Sequence, residues 1–228
     1  MRTPHSALVL VGSPKGGASS SSSIGDHLLA RLAGHGVESR RVRIVRALKT
    51  EEGTRALLAE VAAADFVILS LPLYVDSLPA PVTRALELVA AARTVAPDSE
   101  AGDPASFAAV VQCGFAEPEH NDVALEICRN FADAAGFVWA GGLAMGEGAM
   151  IGGQSLDKVG GRVRNAVAAL DLAAAALAAG RAVPDEAVRT MAKPPLPPRM
   201  YRFMANMGWR SQRRQSESDT PIDARPFV

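Results

Sequence analysis

The sequence predicts a doubly wound α/β domain built around a five-stranded parallel sheet, and three observations lead to this fold class. Strand and helix patterns alternate five times between residues 7 and 179, as in β–α units joined by right-handed crossovers. The third strand pattern, residues 66–71, is continuously apolar, which is typical of a central strand buried on both faces. A turn rich in glycine and serine separates the first strand from the first helix.

Each element is bounded by its own local signals. Glycines follow the first, fourth and fifth helix patterns, where a helix commonly ends, and proline stands in the first turn of the third. In the second strand, Val42 and Ile44 alternate with Arg41 and Arg43, which indicates an edge position. The predicted strands are 7–11, 38–45, 66–71, 107–112 and 137–143, and the predicted helices are 22–33, 50–64, 79–93, 122–135 and 156–179.

The turn after the first strand, residues 12–21 with the sequence GSPKGGASSS, is typical of a phosphate-binding loop. Backbone N–H groups and the dipole of the following helix favour an anion, and serine hydroxyls add donors. Ala18 stands where a triphosphatase loop needs lysine, and Pro14 stands where a dinucleotide loop needs glycine, so neither class is expected. The loop therefore favours a dianionic monophosphate such as that of FMN, with a flexible serine-rich turn as the alternative.

Two further loops are expected to meet this one. In a doubly wound sheet, ligands bind at the carboxyl ends of the strands, here at the switch point between strands one and three. The loop after strand three carries Tyr74 between prolines, and the loop after strand four carries Gly114 and Phe115. A stiff, apolar setting of this kind suits a flat heteroaromatic ring. In isolation, Tyr74 would be interpreted as a half-buried surface aromatic.

Charge and cysteine content exclude several classes of protein. Lysine plus arginine and aspartate plus glutamate each number 24, so we expect no general attraction to nucleic acid, and a strongly acidic electron carrier is disfavoured. The two cysteines, Cys113 and Cys128, are too few for a disulfide framework or an iron–sulfur cluster and indicate a cytoplasmic protein with reduced thiols. We expect no membrane span, no secretion signal and no metal site.

The loops together resemble those of the flavodoxin-fold NAD(P)H-dependent FMN reductases and their quinone-reductase relatives. The resemblance covers residues 7–180 and is carried by GSPK at 12–15 with serines at 19–21, PLYVD at 72–76 with Leu78 and Pro79, GFAE at 114–117, and the segment from Trp139 to Gly148. It implies the flavodoxin-like strand order 2-1-3-4-5. It also implies bound FMN, hydride transfer from NAD(P)H through FMN to a quinone, a free flavin or another small acceptor, and a homodimer or homotetramer.

The same resemblance assigns the cofactor-binding residues. Those at the phosphate are Ser13, Ser19, Ser20 and Ser21, with Lys15 as a further cofactor-binding residue of the same loop. Those at the ring and ribityl chain are Pro72, Leu73, Tyr74 and Val75, and those of the third loop are Cys113, Gly114 and Phe115. Several relatives have Asn or Thr within the run at 19–23, which leaves open which hydroxyls contact the phosphate. Because a flavin supplies the chemistry itself, no nucleophile or triad is expected, and Tyr74 is the one candidate catalytic residue.

The chain is expected to divide at residue 180 into an FMN-binding domain, 1–180, and a C-terminal arm, 181–228. In the arm, KPPLPPR at 193–199 predicts a stiff polyproline-like segment. Met200, Phe203, Met204 and Met207 follow at helical spacing among arginines. This short amphipathic helix could lie on a membrane surface, bind a proline-recognising domain, or pack on its own or a neighbouring subunit, which is favoured. From Gln215 onward a flexible tail is expected.

Three functions are compatible with these patterns. An FMN-dependent NAD(P)H oxidoreductase is favoured. A flavodoxin-like electron carrier, or a flavin-binding regulatory protein without its own substrate, is the alternative, and a relative without flavin is the third. The sequence does not name the electron acceptor or distinguish NADH from NADPH.

Overall fold

The fold is described by a computed structural model of residues 1–15, 17–95, 104–194 and 196–215. Its centre is a five-stranded parallel sheet with the order β2-β1-β3-β4-β5, which confirms the predicted flavodoxin-like arrangement. The strands are β1 Ser6–Val11, β2 Glu38–Arg43, β3 Phe66–Pro72, β4 Ser106–Gln112 and β5 Val138–Met145.

Helices cover both faces of the sheet. They are α1 Ser20–Gly34, α2 Ile44–Ala47, α3 Glu51–Ala63, α4 Ala80–Val95, α5 Asp122–Ala134, α6 Leu156–Val159, α7 Arg164–Ala178, α8 Asp185–Met191 and α9 Pro198–Gln215. Alternate residues of β1 enter two separate cores, because successive side chains of a strand point to opposite faces. Val9 packs with residues of α1, α7 and α8, whereas Leu10 packs with residues of α3, α4 and α5.

The positions of the strands follow from their sequences. Every residue of β4, and all of β3 except its terminal proline, are buried, as expected for central strands. Strand β2, with the sequence ESRRVR, has no fully buried residue and lies at the edge next to β1. The central strands place the ends of β1, β3 and β4 side by side, at the edge where the predicted loops begin.

Asp65 joins the start of β1 to the start of β3. Its Oδ2 accepts hydrogen bonds from the backbone N–H of His5 at 2.9 Å and of Ser6 at 3.0 Å, and its Oδ1 contacts the Arg2 guanidinium. Burial alone would raise the pKa of Asp65, but the two N–H groups and the nearby Arg2 charge hold that pKa below its ordinary value. The carboxylate therefore stabilises the pairing of these strands in its ionised form.

Two features of the C-terminal part differ from the expectation. The single helix predicted over 156–179 is interrupted after α6, because Gly160 adopts a φ of +69°, a left-handed conformation that ends a helix turn. Helix α8 packs against α7 and β5, so the first compact unit runs past residue 180 and comprises Met1–Pro195. The second unit comprises Leu196–Val228 and contains α9. The flexible tail expected beyond Gln215 lies outside the described residues.

None of the helices in the described segments has the length and apolarity needed to cross a bilayer. In those same segments there is no cluster of three or more His, Cys, Asp or Glu side chains able to bind a metal ion.

Candidate functional site

A cavity of about 200 Å³ lies at the carboxyl ends of β1, β3 and β4. The structure brings together at its wall eight of the twelve residues predicted from sequence, together with Gln112 and Ala149. The eight are Ser13, Lys15, Ser19, Ser20, Pro72, Leu73, Tyr74 and Gly114. All three predicted loops therefore contribute to one concave site, at the place where a doubly wound sheet binds its ligands.

The first loop ends in a cap on α1, which begins at Ser20 rather than at the predicted residue 22. The Oγ of Ser19 accepts the backbone N–H of Ser22 at 3.1 Å and lies 2.9 Å from the Ser22 hydroxyl. Serine is among the residues preferred for this cap. Because these bonds occupy the Ser19 hydroxyl, its main role in the structure is to start the helix.

The hydroxyl of Ser20 is also engaged, since it donates to the carbonyl oxygen of Gly148 at 2.8 Å. Ser21 is fully buried, its Oγ has no partner within the described residues, and it does not line the cavity. The Ser13 oxygen accepts the N–H of Lys15 at 3.3 Å. The serine side chains of this loop therefore act mainly within the protein, which sequence reasoning could not show.

Backbone donors remain at the start of α1. Within the described residues, the N–H groups of Ser20 and Ser21 donate to no acceptor, as is usual for the first turn of a helix. Lys15 is exposed at the cavity wall, and Arg43 reaches the loop from β2 by donating to the Gly17 carbonyl at 2.8 Å. N–H groups with a helix dipole behind them, and cations beside them, form a setting that favours a phosphate group.

The second loop turns sharply at Tyr74–Ser77. The N–H of Tyr74 donates to the Ser77 carbonyl at 2.9 Å, and the N–H of Ser77 donates to the Tyr74 carbonyl at 3.0 Å. The two central residues, Val75 and Asp76, have φ values of +49° and +53°, as in the type I′ turn of hairpins. The turn leaves Tyr74 at the cavity and Val75 97% exposed, so Val75 borders the site without lining it.

The third loop separates the remaining predicted residues. Gly114 lines the cavity, and Phe115 is exposed, with its ring tilted by 37° against that of His120 at a centroid distance of 4.4 Å. Cys113 is buried, and its Sγ lies near the Glu117 carbonyl and the Asn121 amide. Burial raises the pKa of the Cys113 thiol. The side chain of Cys113 thus packs beneath the loop and does not reach the cavity.

A short 3-10 turn, Gly148–Ile151, closes the site from the side of β5. The Gly148 N–H donates to the Cys113 carbonyl at 2.9 Å, and a Cβ at Gly148 would lie 1.9 Å from the Gln112 Oε1. Only glycine therefore fits there without moving Gln112. The Gly-Glu-Gly sequence at 146–148 indicated that this segment belongs to the resemblance. It did not identify Gln112 or Ala149 as residues that line the cavity.

Comparisons with known proteins agree with this geometry. The family model described as NADPH-dependent FMN reductase matches residues 6–120, a segment that contains all three predicted loops. Comparison with curated proteins finds no relative of this sequence.

Among solved structures, the chain is similar to RosB with bound 8-demethyl-8-formylriboflavin-5′-phosphate. The TM-score is 0.58 and the identity 13%, with 98% of this chain and 92% of that chain covered. It is also similar to the apo form of the NADH:FMN oxidoreductase EmoB, with a TM-score of 0.50, 16% identity, and 74% of this chain and 89% of that chain covered. At these identities the two structures show the fold alone.

Proposed function

This chain belongs to the NADPH-dependent FMN reductase family, and we propose that it reduces a quinone, a free flavin or another small acceptor with electrons from NAD(P)H. FMN is the cofactor of this family and NAD(P)H its electron donor, so the chain is a flavin-dependent oxidoreductase. The observation that carries the proposal is the single cavity in which the phosphate-type loop, Tyr74 and Gly114 meet.

The residues at the first loop suit the FMN phosphate. Ser20 lines the cavity, and its N–H, which has no acceptor within the described residues, supplies a hydrogen bond, while Lys15 at the wall of the cavity supplies positive charge. Arg43 holds the Gly17 carbonyl and so fixes the loop from behind. A dianionic phosphate is favoured in such a setting because charge-assisted bonds to N–H groups are stronger than neutral ones.

The opposite wall suits a flat ring. Leu73, Tyr74 and Gly114 provide apolar surface and a close backbone approach. The cavity, at about 200 Å³, is smaller than the roughly 300–1,000 Å³ of most ligand sites, so the exposed Val75 and Phe115 beside it would have to contribute to holding the ring system. Bound FMN supplies the hydride chemistry. The protein's residues bind, orient and shield it, with Tyr74 as the candidate for contact with the reacting ring.

The test has two stages. Purified protein is titrated with FMN while the quenching of flavin fluorescence is followed, and the loaded protein is then mixed anaerobically with NADPH or NADH and afterwards with a benzoquinone. We expect binding near one FMN per chain, bleaching by a nicotinamide and recovery of colour with the quinone. Failure to bind FMN would contradict the site, whereas binding without reduction by either nicotinamide would favour the electron carrier.

Tyr74 is tested by two matched replacements. Tyr74→Ala removes the ring from the wall of the cavity and is expected to weaken FMN binding or lower turnover. Tyr74→Phe keeps the ring and removes only the hydroxyl. If both variants bind FMN and turn over like the unchanged protein, Tyr74 is a surface aromatic with no role at the site.

We further propose a homodimer or homotetramer in the cytoplasm. The apolar surface formed by Tyr74, Val75 and Phe115 is exposed beside the cavity, and exposed patches of this kind mark contact sites. Both cysteines are free and buried, which is compatible with a reducing compartment. Light scattering of the purified protein measures the mass, and a monomer at micromolar concentration would contradict the first part of this proposal.

A further inference from the structure

Helix α9, Pro198–Gln215, combines a strongly basic composition with an apolar stripe. Its eighteen residues include five arginines and no aspartate or glutamate. Met200, Phe203, Met204 and Met207 recur at spacings of three and four residues, which places them within an arc of about 100° on a helix. Arg199 and Arg210 lie at one border of that arc, so positive charge and apolar surface are next to each other on the helix.

The side chains of the stripe are exposed. The exposed fractions are 45% for Met200, 65% for Phe203, 50% for Met204 and 55% for Met207, and Trp209 on the same helix is 61% exposed. At about 150–250 Å² for a large side chain, the four residues of the stripe present roughly 400 Å² of largely apolar surface. An exposed patch of that size marks an interaction site.

We propose that α9 is a membrane-surface helix that lies on anionic lipid headgroups. A helix with an apolar stripe of Met and Phe side chains, bordered by Arg199 and Arg210 and with little total hydrophobicity, fits the interface between lipid headgroups and acyl chains. Its arginines complement the negative surface of an anionic leaflet. A neighbouring α9 would instead repel it, and the exposed area is below the roughly 800 Å² per partner of a stable protein interface. Anionic lipid therefore fits this surface better than a second copy does.

A membrane-bound position also narrows the class of electron acceptor. Quinones with long apolar tails dissolve in the bilayer, and a reductase held at its surface would meet them there. This step rests on the proposed function, whereas the contact between α9 and lipid does not.

The contact is measured on the full-length protein without FMN or nicotinamide. The protein is mixed with vesicles of phosphatidylcholine containing 30% phosphatidylglycerol, or with vesicles of phosphatidylcholine alone, and bound protein is collected by flotation. We expect binding to the anionic vesicles, little binding to the neutral ones, and release in 0.5 M NaCl, because salt screens exposed charges. No binding, or equal binding to both kinds of vesicle, overturns the proposal.

An indole placed in the apolar stripe reports the depth of the helix. The chain has two tryptophans, and Phe203→Trp combined with Trp139→Phe and Trp209→Phe leaves the indole introduced at position 203 as the only one. Its emission is expected to shift to shorter wavelength when anionic vesicles are added. An unchanged spectrum on vesicles that do bind the protein shows that another surface makes the contact, and this also overturns the proposal.

Two variants separate the apolar contribution from the charge. Phe203→Ser with Met207→Ser, and separately Arg202→Gln with Arg210→Gln, are each expected to reduce vesicle binding at least fivefold. Val123→Ser is the matched control for the first, because Val123 is 58% exposed on α5 of the first unit. Control variants that reduce binding as strongly as those in α9 overturn the assignment to this helix.

The charge variant has its own control, and the same proteins test the subunit contact expected from sequence. Arg84→Gln with Arg189→Gln removes two exposed charges from the first unit and is expected to retain binding. If the α9 variants lower the mass measured by light scattering while vesicles have no effect on any protein, α9 joins subunits and the proposal is wrong. Once lipid contact is established, the α9 variants are assayed with a long-chain quinone embedded in vesicles and with a soluble quinone. If they lose turnover on the embedded quinone and keep it on the soluble one, this supports the link to lipid-soluble acceptors. Equal turnover on both overturns that link alone.

Discussion

Replacing Val75 by asparagine is expected to stabilise the protein, although it removes an apolar side chain. Val75 has a φ of +49°, and a branched side chain in the left-handed region is strained. The turn cannot relax easily, because two hydrogen bonds between Tyr74 and Ser77 hold it closed. Asparagine tolerates this conformation because its short polar side chain bonds locally.

The size of the effect follows from the same geometry. A left-handed residue other than glycine costs about 1–2 kcal/mol, and Val75 is 97% exposed, so almost no packing is lost when it is removed. Val75→Asn should therefore raise the free energy of unfolding by about 1 kcal/mol. For a chain of this length, that raises Tm by about 2–4 °C. Adding Asp76→Gly, which gives the Asn-Gly pair preferred in such turns, should raise Tm further.

Urea unfolding followed by circular dichroism measures this change. The matched control is Val123→Asn, which makes the same chemical replacement at an exposed position of helix α5 and should give no gain. If Val75→Asn is no more stable than Val123→Asn, the turn stores no strain and the reasoning is wrong. Because strain of this kind tends to persist at functional sites, we also expect Val75→Asn to weaken FMN binding while it raises Tm.

Three further outcomes are expected. Ser20→Asp should lower FMN affinity more than tenfold by repelling the phosphate while leaving riboflavin affinity unchanged, and equal losses for both ligands, measured by flavin fluorescence, would point to local misfolding. Asp65→Asn should lower the free energy of unfolding by about 1–2 kcal/mol at pH 7. In urea unfolding, this difference should disappear as the pH falls through the lowered pKa of Asp65 in the folded protein, because the carboxylate stabilises the fold only while it is ionised. A difference that does not depend on pH would contradict this. Cys113 and Cys128, the latter with a pKa raised to about 12 by burial, should resist iodoacetamide at pH 7.5 in the folded protein and react in urea, as read by mass spectrometry.

Local sequence patterns were enough to predict the sheet and the part of it where the cavity lies. The apolar run of β3, the charged β2 and the alternation of elements predicted the fold class because burial and strand periodicity are local properties of a sequence. The same logic placed Lys15, Tyr74 and Gly114 after strands whose ends meet, and all three line the cavity. Because ligands bind at the carboxyl ends of parallel strands, the order of the strands along the chain is enough to predict which loops meet at the binding edge of the sheet.

The roles of individual side chains emerged only from the packed fold. Sequence could not show that the Ser20 hydroxyl is bonded to Gly148, 128 residues away, or that Ser21 is buried below the loop. Nor could it place Gln112 at the cavity or give Val75 a positive φ. The hydrogen-bond partner of a hydroxyl and the conformation of a turn depend on which distant segments pack against them. Local sequence patterns carry no information about that packing.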